Sequence, residues 1–144
     1  MRNPVTARVV RVERSAPEDA MAALKTALLV DDETDVGELL REAVNERGAR
    51  VDIVADLRSA ITCLKRHAYC GLIVNLAIAN DDGIGLLRAL SDEHITVPIV
   101  LITGDMPDSV RTLPVVRQIK LVMAKPIEIS LLASICLGLC GMET

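Results

Sequence analysis

From residue 26 onward the chain switches between two hydrophobic periods five times over, and this alternation constrains the fold more than any other feature. "TALLV", "ARVDIV", "GLIVN", "VPIVLIT" and "IKLVMA" are short, near-continuous apolar runs. After each run the spacing changes. In "TDVGELLREAVNERG" the residues Val36, Leu39, Leu40, Ala43 and Val44 recur at helical intervals, and Gly48 supplies a C-terminal stop. "DLRSAITCLKRH" carries Leu57, Ile61 and Leu64 as a second stripe; "IGLLRALSDE", a segment from about Asp108, and "EISLLASICLGLC" complete five helices. Strands this apolar need cover on both faces, and a helix after every strand implies parallel crossovers. The fold class is therefore α/β: a doubly wound, five-stranded parallel sheet flanked by five helices, formed by residues 26–144.

Residues 1–25 form an N-terminal extension, an arm or a short helix. "VTARVVRVER" reads as an edge strand or extended arm, and "SAPEDAMAALK" has helix-start chemistry in Ser15, Pro17, Glu18 and Asp19. Four arginines against one glutamate give residues 1–14 a local charge of +3; the net charge is −4, so the remaining residues carry −7. An acidic body of this kind argues against non-specific nucleic-acid binding by the domain itself. With one Tyr, no Phe and no Trp, there is no aromatic platform on which to stack bases. The N-terminus shows no signal-like apolar run, and residues 131–142 are too short to span a bilayer. Cys63, Cys70, Cys136 and Cys140 show no CxxC pairing and read as reduced thiols of a cytoplasmic protein. Cys136 and Cys140 share a helix face, but no His lies near them to complete a metal site.

An open doubly wound sheet binds its ligand at the carboxyl ends of the strands. There the first strand delivers Asp31, Asp32 and Glu33; the third Asn75; the fourth Thr103-Gly104; the fifth Lys125-Pro126. Each has a purely structural use in caps and turns. Together, two carboxylates, an amide, a hydroxyl and an ammonium at one edge suit a hard cation such as Mg²⁺ and a phosphoryl group. The absence of a glycine-rich loop after the first strand argues against an unrelated flavodoxin-like enzyme that binds a nucleotide or flavin phosphate there.

"ALLVDDETDVGELL", "LIVNLAIANDDGIGLL", "PIVLITG" and "KLVMAKPIE" resemble the receiver domain of two-component response regulators, over about residues 26–141. The resemblance implies a flavodoxin-like sheet in the order 2-1-3-4-5 and a signalling module rather than an enzyme. It also implies a Mg²⁺ pocket and phosphorylation at the end of the third strand by a histidine kinase. By position, Asp31 and Asp32 match the acidic pocket; metal contacts are implied from Asp32, position 75, the Ala77 backbone carbonyl and, through water, Asp31. Thr103 and Lys125 match the phosphoryl-pocket hydroxyl and amine, and Lys125–Pro126 falls where the family has a cis peptide. Asp82-Gly83 matches the turn after the acceptor loop. Asn75 falls on the phosphoacceptor itself.

That amide is the main departure. A neutral carboxamide is a poor nucleophile, so no ordinary phosphotransfer is expected. The pocket loses one negative charge, Mg²⁺ binding should weaken, and Lys125 should turn to Asp31 or Asp32. Val122 stands where the family has a mobile aromatic, and Pro114 should shorten the fourth helix. From Ile129 to Met142 no residue is charged, which suggests a contact or dimer surface through Leu131, Leu132, Ile135 and Leu139. The expected function is a pseudo-receiver acting through protein–protein contacts, with a homodimer and a histidine kinase or other two-component protein as partners. The alternative is an ordinary receiver inactivated by Asn at position 75. Asp81 or Asp82 as a substitute acceptor would be poorly aligned with the pocket.

Overall fold

The computed structural model describes residues 25–78, 80 and 82–142; the expectations for residues 1–24 lie outside them. Five strands, β1 (Thr26–Val30), β2 (Arg50–Val54), β3 (Gly71–Asn75), β4 (Ile99–Ile102) and β5 (Ile119–Met123), form one parallel sheet in the order β2-β1-β3-β4-β5. The helices are α1 (Thr34–Asn45), α2 (Leu57–Arg66), α3 (Asp82–Asp92), α4 (Asp108–Arg111) and α5 (Ile129–Leu139).

Period-two alternation along the strands divides the core between two faces. Leu28, Val30, Leu72, Val74 and Leu101 point to the side covered by α2 and α3, where they meet Ala60, Leu86, Leu87 and Leu90. Ala27, Leu29, Ile73, Val100 and Ile102 point to the other, against Leu40 and Val44 of α1 and Leu132 and Cys136 of α5. β1, β3 and β4 are buried along their whole length. Because the strands bury both faces, their sequences read as apolar runs rather than alternations.

The fifth strand departs from that expectation. Leu121 and Val122 are 40% and 42% exposed. For Val122, Pro114 supplies the reason: α4 stops at Arg111, and Pro114 instead opens a 3₁₀ turn, Pro114–Gln118, as its first residue. A proline cannot continue a helix interior, but its fixed φ suits a first turn. The fourth helix is therefore short, as expected, and leaves Val122 uncovered, whereas Leu121 pairs with Val100 on the α1–α5 face, where α4 has no part. Val122 pairs with Leu101 on the α2–α3 face.

Two further corrections concern the helices. Leu39, placed in the α1 stripe by spacing, is 51% exposed. Leu132, expected on a contact surface, is fully buried between α5 and the sheet, while Ile135 and Leu139 pack half-buried against the same core. Of the four residues expected there, only Leu131 is mainly exposed, at 51%. The outward face of α5 is otherwise Ser130, Ser134 and Gly138. A helix without charge can thus show water hydroxyls and glycine rather than a broad apolar face.

The cysteines also differ from expectation. Cys70, just before β3, and Cys140, the C-cap of α5, are joined as a disulfide, while Cys63 and Cys136 are buried thiols outside it. Nothing in local spacing could reveal a pair separated by 70 residues. Among the described residues no helix is long and apolar enough to cross a membrane.

Candidate functional site

Backbone ladder bonds carry the sheet one residue past several strand ends, and this holds the site residues in place. Asp31 N–H donates to Val54 O at 3.0 Å, Leu76 N–H to Ile102 O at 2.9 Å, and Thr103 N–H to Met123 O at 2.8 Å. Asp31 and Asn75 are 3% and 2% exposed, and with Thr26 they are the buried polar residues of the described chain. Buried polar groups require partners, and Asn75 and Asp31 supply one to each other.

Asn75 Nδ2 donates to Asp31 Oδ1 at 3.1 Å, and Asn75 Oδ1 accepts from Ala77 N at 3.1 Å. Asp31 Oδ1 also accepts from Glu33 N at 3.0 Å. The amide therefore uses both ends: its donor answers the Asp31 carboxylate and its oxygen ties down the loop after β3. In that loop Ile78 N–H donates back to Asn75 O at 3.4 Å, and Asn80 takes a left-handed φ of 63°, which asparagine tolerates better than most residues.

The remaining predicted groups surround this pair less tightly. Asp32 is exposed beside Asp31. Thr103 Oγ1 donates to Asp105 O at 2.7 Å and accepts from Asp105 N at 3.3 Å, so its hydroxyl closes a turn of its own loop. Lys125 precedes a cis bond to Pro126, as expected. Its ammonium lies 3.5 Å from Glu33 Oε1, so the ion pair falls one residue beyond the acidic pair expected to receive it. Both side chains are largely exposed, and Glu33 has the reach from the first residue before α1. Glu33 is thus a pocket residue to which the sequence assigns no role, though it stands directly after the acidic pair.

Asp82 and Gly83 do not form the turn expected of them; they open α3. Asp82 Oδ2 accepts from Leu57 N at 3.0 Å and so caps α2 together with Asp56, whose carboxylate accepts from Ser59 N at 2.8 Å. A Cβ at Gly83 would lie 2.7 to 2.9 Å from the Leu76 backbone, so only glycine lets α3 start so close to the loop after β3. Asp82 is therefore committed to a helix end, and Asp81 lies outside the described residues. An open groove of about 670 Å³ between α2 and α3, lined among others by Asp56, Leu57, Ile61, Asp82 and Glu93, contains none of the predicted pocket residues.

A divalent cation between Asp31, Asp32 and position 75 would need inward-facing oxygens from all three. Position 75 instead turns N–H toward Asp31, and its oxygen is held by Ala77 N. The donor set in this arrangement does not fit a tightly bound Mg²⁺, and among the described residues no group of three or more His, Cys, Asp or Glu could hold a metal ion.

A family model for the response regulator receiver domain matches residues 27–136. Among curated proteins, the chain is 29% identical over 77 residues to the transcriptional regulatory protein TcrA of Mycobacterium tuberculosis, covering 54% of this chain and 30% of that protein. It is 29% identical over 100 residues to the C4-dicarboxylate transport transcriptional regulatory protein DctD of Pseudomonas aeruginosa, covering 68% and 21%. The chain thus spans less than a third of either relative. Among solved structures, the receiver domain of Francisella response regulator 1452 superposes with a TM-score of 0.67 at 18% identity, covering 81% of this chain and 97% of that one. The receiver domain of sensor histidine kinase PA1611 from Pseudomonas aeruginosa, which holds a magnesium ion in its active-site cleft, gives 0.64 at 23% identity, covering 81% and 98%.

Proposed function

The chain belongs to the response regulator receiver domain family, and on that premise we propose that it is a pseudo-receiver. It is a two-component signalling module that keeps the receiver frame, is not phosphorylated at position 75, and acts through protein–protein contacts. One observation carries this reading: the buried Asn75 amide is bonded at both ends, to Asp31 and to Ala77 N. A carboxylate attacks phosphorus through an anionic oxygen; an amide oxygen is neutral, and here it already accepts a hydrogen bond. The Asn75 N–H also lies where a receiver with Asp would need a cation to keep two carboxylates together. The pocket is satisfied without Mg²⁺, and its affinity for the ion is correspondingly weak.

The partners are a histidine kinase or another two-component protein in the cytoplasm, and a second copy of the chain. Among the described residues, exposed Leu131 on α5, Leu39 on α1, and Leu121 and Val122 on β5 offer apolar side chains for such contacts. A second reading, an ordinary receiver silenced by Asn at position 75, draws on the retained Asp31, Asp32, Thr103 and Lys125 at the sheet edge.

Titration of Mg²⁺ and then a beryllium fluoride complex against the wild type and Asn75→Asp, followed by chemical shift or melting temperature, tests the proposal. The wild type should not respond, and a saturable wild-type response would refute it. A response from Asn75→Asp shows an intact frame and favours the second reading; no response shows that the reaction is lost beyond position 75.

A further inference from the structure

The end of the sheet opposite the acidic pocket brings together two half-buried cysteines, Cys70 and Cys140, with Cα atoms 4.9 Å apart. That spacing lies inside the range a disulfide spans without moving the backbone. Both sulfurs stand on fixed supports. Cys70 N–H donates to Thr26 O of β1 at 2.9 Å, and Cys140 N–H donates to Cys136 O and Leu137 O at 3.1 Å in the last turn of α5. Gly71 is what permits the approach. A Cβ there would lie 2.6 Å from Leu139 Cδ1, so the glycine lets that turn rest directly on the start of β3. The meeting of the two residues therefore follows from packing, not from the bond alone.

The other two cysteines differ in kind. Cys63 and Cys136 are 1% and 0% exposed, and burial pushes the Cys136 thiol up to about 11. Reagents in water reach neither readily, and the thiolate that reacts is scarce at Cys136.

We propose that Cys70 and Cys140 form a reversible dithiol–disulfide latch that fastens the last turn of α5 to the start of β3, exchanging with low-molecular-weight disulfides and thiols. In the closing direction, one cysteine thiolate attacks a small disulfide RSSR, forming a mixed disulfide and expelling RS⁻. The second thiolate then attacks the protein sulfur of that mixed disulfide and expels the other RS⁻. Two protein thiols are oxidised by two electrons, RSSR is reduced to two RSH, and the two thiol protons end on them. Opening is the reverse. The latch acts on α5, the helix that carries exposed Leu131, and does not depend on whether position 75 accepts phosphoryl.

The test equilibrates the whole chain first with oxidised and then with excess reduced glutathione, quenches with acid, and alkylates under denaturing conditions for intact mass. The oxidised form should take two alkyl groups, on Cys63 and Cys136, and the reduced form four. Amide hydrogen exchange across residues 136–142 should be about tenfold slower in the oxidised form. Cys70→Ser and Cys140→Ser should each abolish that difference. Four alkyl groups after oxidation would overturn the latch, as would equal exchange in the two states or a bond that excess reduced glutathione does not open.

Discussion

Asn75 donates from Nδ2 to Asp31 Oδ1 across 3.1 Å, with both side chains almost fully buried. The bond joins the ends of two neighbouring strands, β1 and β3, at the mouth of the sheet. It converts what would be a repulsive pair of carboxylates into a donor and an acceptor. A buried charge is tolerable when it accepts several N–H bonds, and Asp31 accepts from both Asn75 and the Glu33 backbone.

Asn75→Asp reverses that arrangement. Two buried carboxylates about 3 Å apart would face each other, and the introduced carboxyl would have its pKa raised by burial and by Asp31. The folded state would then hold its proton at a pH where the unfolded chain has released it. Stability relative to the wild type would be lost as pH rises from about 4 and would level off above the folded pKa. At neutral pH without divalent ions the variant should be about 1–3 kcal/mol less stable, and millimolar Mg²⁺ should recover most of the loss. Urea unfolding at several pH values, with and without Mg²⁺, measures this. A variant as stable as the wild type at neutral pH in EDTA would contradict the pocket assignment.

Asp82 caps α2 across the chain, through Leu57 N. Asp82→Ala should cost about 1 kcal/mol and raise amide exchange in the first turn of α2. Asp82→Asn, which keeps an accepting oxygen, should recover at least half of that. In an Asn75→Asp background, Asp82→Ala should leave any phosphoryl uptake in place, because Asp82 belongs to the helix end. Abolished uptake in a folded double variant would show that Asp82 takes part in the transfer.

Much of the frame was legible in the sequence because it is written in periodicity. The run "GLIVN" became β3 residue for residue, and Lys125–Pro126 is cis where the resemblance implied it. The carboxyl-end rule for a doubly wound sheet placed Asp31, Asn75, Thr103 and Lys125 at one edge, and of these the structure bonds Asn75 to Asp31. What could not be read depended on reach and on long-range packing. Lys125 and Glu33, 92 positions apart in sequence, meet because two long side chains reach toward each other. Leu132 and Leu131 are neighbours with opposite fates, decided by which side of α5 meets the sheet. Gly83 looked like a turn glycine because Asp-Gly is common turn chemistry. Its actual constraint, the Leu76 backbone, is seven residues away.

Gly83 and Gly138 make opposite predictions under the same substitution. Gly83→Ala would drive a methyl to within 2.7 Å of Leu76 O, against backbone that cannot swing aside. It should destabilise by about 1–3 kcal/mol. Gly138 sits inside α5 with nothing within 4 Å of its would-be Cβ. Gly138→Ala should stabilise by about 0.5–1 kcal/mol through helix propensity and a less free unfolded chain. Matched urea titrations of the two variants suffice. Equal effects on stability would mean that α3 does not press on the loop after β3.

Tyr69, the single tyrosine, supplies a spectroscopic check on the packing of the segment between α2 and β3 against β2. Its hydroxyl donates to Asp52 Oδ2 at 2.7 Å, and the side chain is 8% exposed. Burial first, then the Asp52 charge, push the phenol well above its ordinary value. The folded state therefore keeps this proton through the alkaline range in which an unfolded chain releases it, near pH 10. The stability tied to this group is fully present below pH 10 and falls as pH rises beyond it. Absorbance near 295 nm should show no tyrosinate while the chain stays folded, and its appearance should coincide with loss of helical circular dichroism. Tyrosinate forming near pH 10 in the folded protein would mean that the Tyr69–Asp52 bond is open to water. Tyr69→Phe should remove this tyrosine contribution to the pH dependence above pH 10.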